Sequence, residues 1–291
     1  MVRFGLHALG IGAGADPSVV STVARAAEDA GFATLWAGEH VVTVDDGDSP
    51  YPYAADGRIA VPADADWLDP LAVLAYAAAV TSSIRLATGV LLLPEHHPVV
   101  VAKQAASLDR LSGGRFVLGV GLGWSEAEFR ALGIPFDGRA GRTREYVAAM
   151  RSLWADDPAN YHGDHVDFDR VRSHPKPAGG RVPVFLGGNT DRALARVAAY
   201  GDGWYGFNLP VDQVGSRVAA LRSQCTARHR QPTSVEVAAS LADGAPDDVA
   251  GLAAAGVDEL VLVDAPPADP AEAADWVSQM ADRWSVRPPA G

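Results

Sequence analysis

The stretch from residue 84 to residue 120, IRLATGVLLLPEHHPVVVAKQAASLDRLSGGRFVLGV, holds one complete strand–helix–strand unit. Residues 84–92 predict a strand, residues 99–112 predict a helix that ends at Gly113-Gly114, and residues 116–120 predict the next strand. A glycine pair suits the end of a helix because glycine adopts the left-handed conformation without a steric penalty. The unit is typical of two parallel strands joined by a helix that covers the sheet.

The same alternation runs along the rest of the chain. Two of the helices begin at an Asp-Pro pair, Asp16-Pro17 and Asp69-Pro70, where the carboxylate caps the helix and proline costs no hydrogen bond. Strands are predicted at residues 3–9, 33–37, 84–92, 116–120, 182–186, 203–207, 235–241 and 260–263, and helices at 17–30, 70–82, 99–112, 143–154, 190–200, 211–230, 247–255 and 270–284. Eight such units predict a closed α/β fold, the (β/α)₈ TIM barrel, and an open doubly wound sheet is the alternative.

Length, composition and charge narrow the class of protein. The chain has 291 residues, of which 48% are hydrophobic and 21% charged, so it can bury a large core. The net charge of −12 and the lack of Lys/Arg-rich runs argue against binding of nucleic acid through its phosphates. The lone cysteine, Cys225, excludes an internal disulfide, and no apolar stretch approaches the ~20 residues that cross a bilayer. We expect a single cytoplasmic domain over residues 1–291, with residues 286–291 as a disordered tail.

Two connections are longer than ordinary barrel loops: residues 41–68 after the second strand and residues 155–181 before the fifth. Because long loops on a barrel usually surround the active site, both are expected at its rim. The second connection carries three histidines and several aspartates, which favour a solvated loop over a metal site. His96 and His97 are adjacent, and their side chains should point in opposite directions on an extended segment. No metal site is predicted, although a metal-dependent hydrolase stays an alternative.

In a barrel the functional residues follow the carboxyl ends of the strands. Glu39 and His40 end the second strand, where a neutral imidazole can exchange a proton with a ligand near neutral pH. Residues 186–190, LGGNT, lead into a helix whose free N–H groups favour an anion, and Arg192 in its first turn can reach a phosphate. Residues 119–123, GVGLG, lack the third glycine of the dinucleotide fingerprint and predict a strand end that a flat ligand can approach. A polar pair at a loop edge and ordinary strand–helix turns are the alternatives.

Several blocks, taken together and in this order, resemble the bacterial luciferase-like monooxygenase superfamily, and especially its branch that uses the deazaflavin coenzyme F420. The resemblance covers residues 3–285. The blocks are 31–32 (GF) with 35–40 (LWAGEH), 69–71 (DPL) with 84–90 (IRLATGV), 98 (P) through 108–115 (LDRLSGGR), 119–124 (GVGLGW) with 128–129 (EF), 175–177 (PKP), and 187–188 (GG) with 201–204 (GDGW).

The resemblance implies that the cofactor ring lies across the strand ends, with a non-proline cis peptide bond between Gly89 and Val90 behind it. It implies hydride transfer between F420 and a small organic substrate, with His40 as proton donor or acceptor and Glu39 orienting the ring edge. The expected cofactor-binding residues are Trp36, Thr88, Gly89, Val90, Gly121, Lys176, Gly187, Gly188, Asn189, Thr190 and Arg192. The expected substrate pocket comprises His7, Trp124, Glu128, Trp204 and the loop 41–68. A homodimer is implied by the resemblance as well.

Two departures bear on the cofactor and the reaction. Sugar-phosphate dehydrogenases of this superfamily carry a catalytic glutamate where this chain has Trp124 and an asparagine where it has Ala127, which argues against sugar-phosphate oxidation. Glu39 stands where F420 enzymes often carry aspartate, and flavin-using relatives carry glutamate there. An FMNH₂-dependent monooxygenase on the same barrel and a non-catalytic flavin-binding barrel therefore stay open as alternatives.

Overall fold

The computed structural model describes residues 2–44, 49–54 and 56–288 of the chain. Over these residues the strands are β1 (Arg3–Leu9), β2 (Thr34–Ala37), β3 (Arg85–Thr88), β4 (Leu91–Leu92), β5 (Phe116–Gly121), β6 (Ala159–His162), β7 (Asp167–Val171), β8 (Val184–Gly187), β9 (Gly203–Leu209), β10 (Glu236–Leu241) and β11 (Glu259–Val263). The helices are α1 (Pro17–Ala30), α2 (Pro70–Val80), α3 (Pro98–Leu111), α4 (Glu126–Ala131), α5 (Arg139–Ala155), α6 (Asp191–Tyr200), α7 (Val211–Thr226), α8 (Val249–Ala255) and α9 (Pro270–Trp284).

Eight parallel strands close into a barrel in the order β1-β2-β3-β5-β8-β9-β10-β11, and β11 pairs again with β1. The pairing of β3 with β5, where Leu86 lies opposite Phe116, completes the ring. The short strand β4 continues the path of β3 and pairs with the end of β5. The closed (β/α)₈ barrel is thereby confirmed, and the open doubly wound sheet is excluded because it has two unpaired edges.

The helix termini follow the predicted local chemistry. The Asp16 carboxylate accepts hydrogen bonds from the backbone N–H groups of Ser18 and Val19, and α1 ends at Gly31 with a φ of 93°. The Asp69 carboxylate caps α2 in the same way. These caps fix where each helix begins on the barrel, and therefore also where the preceding loop must end.

The core has two layers, because alternate residues of each strand point to opposite faces. One face packs against the helices, and the other fills the barrel interior with Trp36, Ala87, Val117, Phe185, Tyr205, Ala238 and Val261. Within the interior, Trp36 and Tyr205 stack with their ring centroids 4.6 Å apart. Below them, toward the amino ends of the strands, the Glu259 carboxylate accepts hydrogen bonds from Trp36 Nε1 at 2.8 Å and from Thr34 Oγ1 at 2.9 Å.

The two long connections lie at opposite ends of the barrel. The first joins the carboxyl end of β2 to α2, and its described residues line the rim as predicted. The second joins α5 to the amino end of β8 and contains the antiparallel hairpin of β6 and β7. The predicted rim position is therefore wrong for residues 155–181, because a helix-to-strand connection returns to the amino end.

Part of the predicted disordered tail is packed. Val286 is buried, and its N–H donates a hydrogen bond to the carbonyl of Ala281 in α9. Residues 289–291 lie outside the described residues. No helix within the described part of the chain is long and apolar enough to span a membrane.

Candidate active site

A cavity of about 940 Å³ opens at the carboxyl ends of the strands. Much of its floor is backbone, contributed by Gly38, Gly89, Gly121, Gly187 and Gly188. A Cβ atom on Gly121 would lie 2.6 Å from Cγ2 of Val90, so a larger residue would displace Val90 from the floor. The peptide bond between Gly89 and Val90 is cis, at the position that the resemblance implies. Aromatic side chains form the opposite wall, namely Tyr51, Tyr53, Trp67, Trp124 and Phe207.

His40 lies just after β2 and lines the cavity with a side chain that is 10% exposed. Its Nδ1 lies 2.8 Å from Oε2 of Glu128 on α4, and Oε1 of Glu128 accepts hydrogen bonds from the N–H groups of Val41 and Val42. The rings of Trp67 and Trp124 meet the imidazole edge to face. The carboxylate therefore holds Nδ1, and Nε2 is the nitrogen available to a ligand.

Glu39 also lines the cavity, but both of its carboxylate oxygens have protein partners. Oε2 accepts a hydrogen bond from the N–H of Leu92 at 2.5 Å, and Oε1 lies 3.0 Å from Nε2 of His96. Burial lowers the pKa of His96, but the hydrogen bond and charge of Glu39 outweigh burial, so the pKa is raised on balance. In this structure Glu39 therefore anchors the segment 91–96 beside the cavity.

Glu95 is a third carboxyl group behind this part of the site. Its side chain is buried, and neither carboxyl oxygen has a hydrogen-bond partner among the described residues. Burial, together with the charges of Glu128 and Glu39, raises the pKa of Glu95 to about 9. Glu95 is therefore a neutral acid at physiological pH.

His7 is a second histidine on the cavity surface, at the end of β1. Its Nδ1 lies 3.1 Å from the hydroxyl of Tyr205, which points into the barrel from β9. Burial lowers the pKa of His7 to about 4, so the ring is neutral at physiological pH.

Cationic and polar groups occupy another part of the cavity. Thr190 caps α6 by accepting a hydrogen bond from the N–H of Ala193, and the preceding Gly188 has a φ of 111°. Arg139 and Arg196 line the cavity near this turn. Arg139 is fixed by a hydrogen bond from Nε to the carbonyl of Gly123, whereas Arg196 makes no side-chain hydrogen bond to any described residue. This combination of a helix start and two guanidinium groups suits an anion.

The structure places most of the predicted site residues around one cavity. Those that line it are His7, Glu39, His40, Gly89, Val90, Gly121, Trp124, Gly187, Gly188, Asn189 and Thr190. The Asn189 side chain bonds the backbone of Phe207 through both its amide nitrogen and its oxygen. It therefore joins the predicted phosphate turn to the aromatic wall.

Three of the predicted residues lie outside the cavity in the barrel core. Trp36 and Thr88 are fully buried beneath the floor, where Trp36 Nε1 bonds Glu259 and the Thr88 hydroxyl bonds the carbonyl of Gly119. Trp204 points outward to the helix layer and donates to the carbonyl of Gly188, since it alternates with the inward-facing Tyr205.

Three predicted charged residues also lie outside the cavity lining. Glu128 reaches the site only through His40 and is 1% exposed. Lys176 lies in the second long connection, where its ammonium donates to the carbonyls of Leu153 and Asp156 at the end of α5. Arg192 is exposed and outside the cavity, and Arg196, one helical turn further on, takes the expected place.

The sequence placed the loop 41–68 in the substrate pocket without singling out Tyr51, Tyr53 or Trp67, and the predicted site did not include Tyr205, Phe207, Arg139 or Arg196. For Tyr205 and Phe207 a signal existed, because residues two apart in β9 share a face. The loop residues gave no such signal, since their approach depends on how residues 49–54 and 56–67 fold over the barrel.

A closed (β/α)₈ barrel with its cavity at the carboxyl ends of the strands is the arrangement in which barrel enzymes place their active sites. The family model described as luciferase-like monooxygenase matches residues 3–250, and the chain belongs to this family.

Two proteins of similar sequence have different names, and only one of the names states an activity. A Mycobacterium tuberculosis protein described as uncharacterized is 36% identical over 262 residues, which cover 90% of this chain and 92% of that protein. An FMNH₂-dependent dimethylsulfone monooxygenase from Pseudomonas fluorescens is 33% identical over 155 residues, which cover 52% of this chain and 42% of that protein.

Two solved structures show the same fold. The coenzyme F420-dependent tetrahydromethanopterin reductase from Methanopyrus kandleri has a TM-score of 0.74 at 19% identity, covering 96% of this chain and 97% of that one. An F420-dependent secondary alcohol dehydrogenase, solved with an F420–acetone adduct, has a TM-score of 0.75 at 16% identity, covering 97% and 99%. At these identities the likeness concerns the fold alone.

Proposed function

We propose that this chain is an F420-dependent oxidoreductase that transfers hydride between the deazaflavin and a small organic substrate. The observation that carries the proposal is the His40–Glu128 pair at the cavity, with Nδ1 held at 2.8 Å and Nε2 free to face a ligand. Oxidation of an alcohol, or reduction of a carbonyl, requires a proton to move at the substrate oxygen as hydride moves at carbon. An imidazole backed by a carboxylate is suited to that proton transfer.

The described residues fit a flat, phosphate-bearing cofactor. The backbone floor at Gly89, Gly121 and Gly187 provides a surface against which a planar ring can lie. The turn at Gly188 and Thr190, with Arg139 and Arg196 nearby, provides donors and positive charge for a phosphate. When bound, F420 supplies or accepts the hydride, and the protein supplies orientation and proton transfer.

In the oxidative direction, His40 Nε2 would take the proton of the substrate hydroxyl, and F420 held against the glycine floor would accept the hydride from the same substrate carbon as that carbon becomes a carbonyl. Glu128 stabilises the resulting imidazolium through Nδ1. The reductive direction reverses each of these transfers. Trp67 and Trp124 contact the imidazole and limit the access of water to it.

The aromatic wall argues for an apolar organic substrate. Tyr53 contacts Tyr51 and Phe207 edge to face, and Tyr51 also contacts Trp124. Such a surface binds hydrocarbon or ring systems by burial of apolar area.

The proposal also includes a single domain over residues 1–291 and a cytoplasmic homodimer. Light scattering of the purified protein would measure the oligomeric state.

An FMNH₂-dependent monooxygenase is the second candidate, and the 33% identical Pseudomonas fluorescens relative favours it. The same floor and phosphate turn would accept FMN. The two candidates differ in the bound cofactor and in whether oxygen is consumed.

Paired titrations of the purified protein with F420 and with FMN, followed by ligand fluorescence, test the proposal. We expect micromolar binding of F420 and much weaker binding of FMN; the opposite preference would favour the monooxygenase. Arg139→Gln and Arg196→Gln should each weaken cofactor binding by roughly tenfold through loss of a charge-assisted contact. Arg192→Gln removes an exposed arginine of the same helix and is the matched control, for which we expect unchanged affinity. Failure of both cofactors to bind would overturn the proposed function.

A further inference from the structure

His7 differs from His40 in the partner that holds it. Its Nδ1 contacts a neutral hydroxyl, that of Tyr205, at 3.1 Å, whereas Nδ1 of His40 contacts a carboxylate. His7 is 8% exposed and lines the cavity, so Nε2 is the ring nitrogen left to face a ligand. The question is which of the two nitrogens carries the single proton of the neutral ring.

The Tyr205 hydroxyl answers this question. Tyr205 is 1% exposed, and Nδ1 of His7, at 3.1 Å, is the one hydrogen-bond partner of its hydroxyl among the described residues. The hydroxyl carries one proton, and the acceptor that this geometry offers to that proton is Nδ1 of His7.

The reverse order satisfies fewer groups. If Nδ1–H of His7 donated to Tyr205, the buried Tyr205 proton would have no acceptor among the described residues. A buried hydroxyl proton without an acceptor is unfavourable. The hydrogen-bond chain from Tyr205 to His7 therefore runs in one direction and leaves the ring proton on Nε2.

The surroundings keep the ring neutral. The described groups packed on the ring are Tyr205 and Phe207 from β9 and the backbone at Gly38 and Gly89, none of which carries a charge. Asp264 lies beside the His7 backbone after β11, but its carboxylate accepts hydrogen bonds from the N–H of Ala265 and from Trp276 Nε1. Burial lowers the pKa of His7 to about 4 and raises the pKa of Tyr205 above its usual range. His7 is therefore neutral from about pH 5 upward.

We propose that His7 is a hydrogen-bond donor locked in the Nε2–H tautomer, and that it selects ligands presenting a carbonyl oxygen or an imine-type ring nitrogen to the cavity floor. The assignment of the tautomer stands on the hydrogen-bond chain alone, while the ligand that supplies the acceptor rests on the proposed function. The two histidines then divide the work: His40 exchanges a proton, and His7 donates a hydrogen bond without changing its charge.

Nitrogen NMR of the histidine side chains tests the tautomer without any ligand. We expect the His7 signals of an Nε2–H imidazole, unchanged between pH 5 and pH 8, and Tyr205→Phe should release the preference and give a mixture of tautomers. Thermal melting checks that Tyr205→Phe remains folded; if it does not, the wild-type signals alone decide. An Nδ1–H tautomer in the wild-type protein, or titration of His7 near its ordinary pKa, would overturn the proposal.

The same signals identify the source of the acceptor. If the cofactor ring supplies the acceptor, addition of F420 or of FMN should shift the His7 Nε2–H resonance. If the substrate supplies the acceptor, the resonance should shift only when a ketone such as cyclohexanone is then added. Absence of a shift with any of these while the cofactor binds would overturn the selective role. If neither cofactor binds, the proposed function fails, but the tautomer result stands.

A pair of substitutions gives an independent readout. His7→Leu removes the donor, whereas His7→Gln retains an N–H near the position of Nε2. We expect His7→Leu to weaken binding of the acceptor-bearing ligand by about 10- to 100-fold and His7→Gln to restore most of it. Equal effects of the two substitutions would indicate loss of packing alone and would overturn the selective role.

Discussion

Glu259, near the amino ends of the barrel strands, and Glu95, near their carboxyl ends, are both almost fully buried, but their surroundings differ. Glu259 accepts hydrogen bonds from Trp36 and Thr34, and Arg85 lies 3.8 Å away. Glu95 has no hydrogen-bond partner among the described residues and stands beside two other carboxyl groups.

The difference extends to the groups around each glutamate. At the amino end the buried polar side chains satisfy one another, which is what stability requires. At the carboxyl end, hydrogen-bonding capacity is left open at Glu95, at Nε2 of His7 and at Arg196. The carboxyl end of this barrel therefore carries open hydrogen-bonding capacity both in the cavity and behind it, at some cost to stability. Outside the cavity, Arg142 Nε and the Tyr200 hydroxyl are also buried without a partner among the described residues.

Loss of the His40 imidazole should have the largest effect, and it should fall on activity. We expect His40→Ala to lower kcat by about 10²- to 10⁴-fold because the proton transfer loses its donor and acceptor. The rate would be measured with F420 and the alcohol or ketone that turns over fastest in a panel. His165→Ala, which removes an exposed histidine from the hairpin at the other end, is the control. Equal rates for the two variants would remove His40 from the reaction.

Loss of the Glu259 carboxylate should act on the fold. Glu259→Leu leaves the Trp36 and Thr34 donors unsatisfied and Arg85 with one partner fewer, so we expect the free energy of unfolding to fall by about 3–5 kcal/mol. Chemical denaturation measures this change. Glu259→Gln keeps an acceptor and should lose less; if both variants unfolded like the wild type, the amino-end network would not be stabilising.

Glu95→Gln should have the opposite sign and a smaller size. The folded protein holds a proton on Glu95 up to its raised pKa of about 9, whereas the unfolded chain releases the proton near the usual pKa of 4.5. Stability attributable to this group therefore falls as pH rises from about 4.5 to 9 and is constant below that window. We expect the variant to match the wild type near pH 4.5 and to be more stable by about 1–3 kcal/mol at pH 8. A difference that did not grow with pH would show that Glu95 ionises normally.

The smallest effect is expected at Lys176. Lys176→Met removes the ammonium that caps the carbonyls at the end of α5, for a loss of about 0.5–1 kcal/mol of stability. Cofactor affinity should not change, because Lys176 lies away from the cavity. A several-fold loss of F420 affinity would contradict the assignment of ligand-binding groups to the carboxyl end of the barrel and of purely stabilising groups to the amino end.

The fold was predictable because it depends on local signals that repeat. The Asp-Pro helix starts, the glycine helix ends and the apolar strands recur often enough for eight units to be recognised. The glycine turn at residues 187–190 was predictable for the same reason, since a helix start after a strand end places its N–H groups at the rim.

The rest of the site depends on which face of a strand or helix each side chain occupies, and the sequence indicates this only weakly. Trp204 and Tyr205 differ by one residue, and that single step decides which ring reaches the barrel interior and which one the helices. Arg192 and Arg196 differ by one helical turn, and only the second lines the cavity. The His40–Glu128 pair joins residues 88 positions apart, a contact that no local pattern encodes.

Asn208, with a φ of 52°, donates a hydrogen bond from its side-chain amide to the carbonyl of Tyr53 and so holds the aromatic wall against the barrel. Tyr53 belongs to the loop between β2 and α2, while Asn208 belongs to β9. Exchange of residues 51–54 of that loop would alter which molecules are admitted while leaving His40, at the start of the same loop, and its partner Glu128 in place. The residues that exchange protons and part of the wall that faces the substrate are therefore separate, so that relatives can change substrate preference while keeping one reaction.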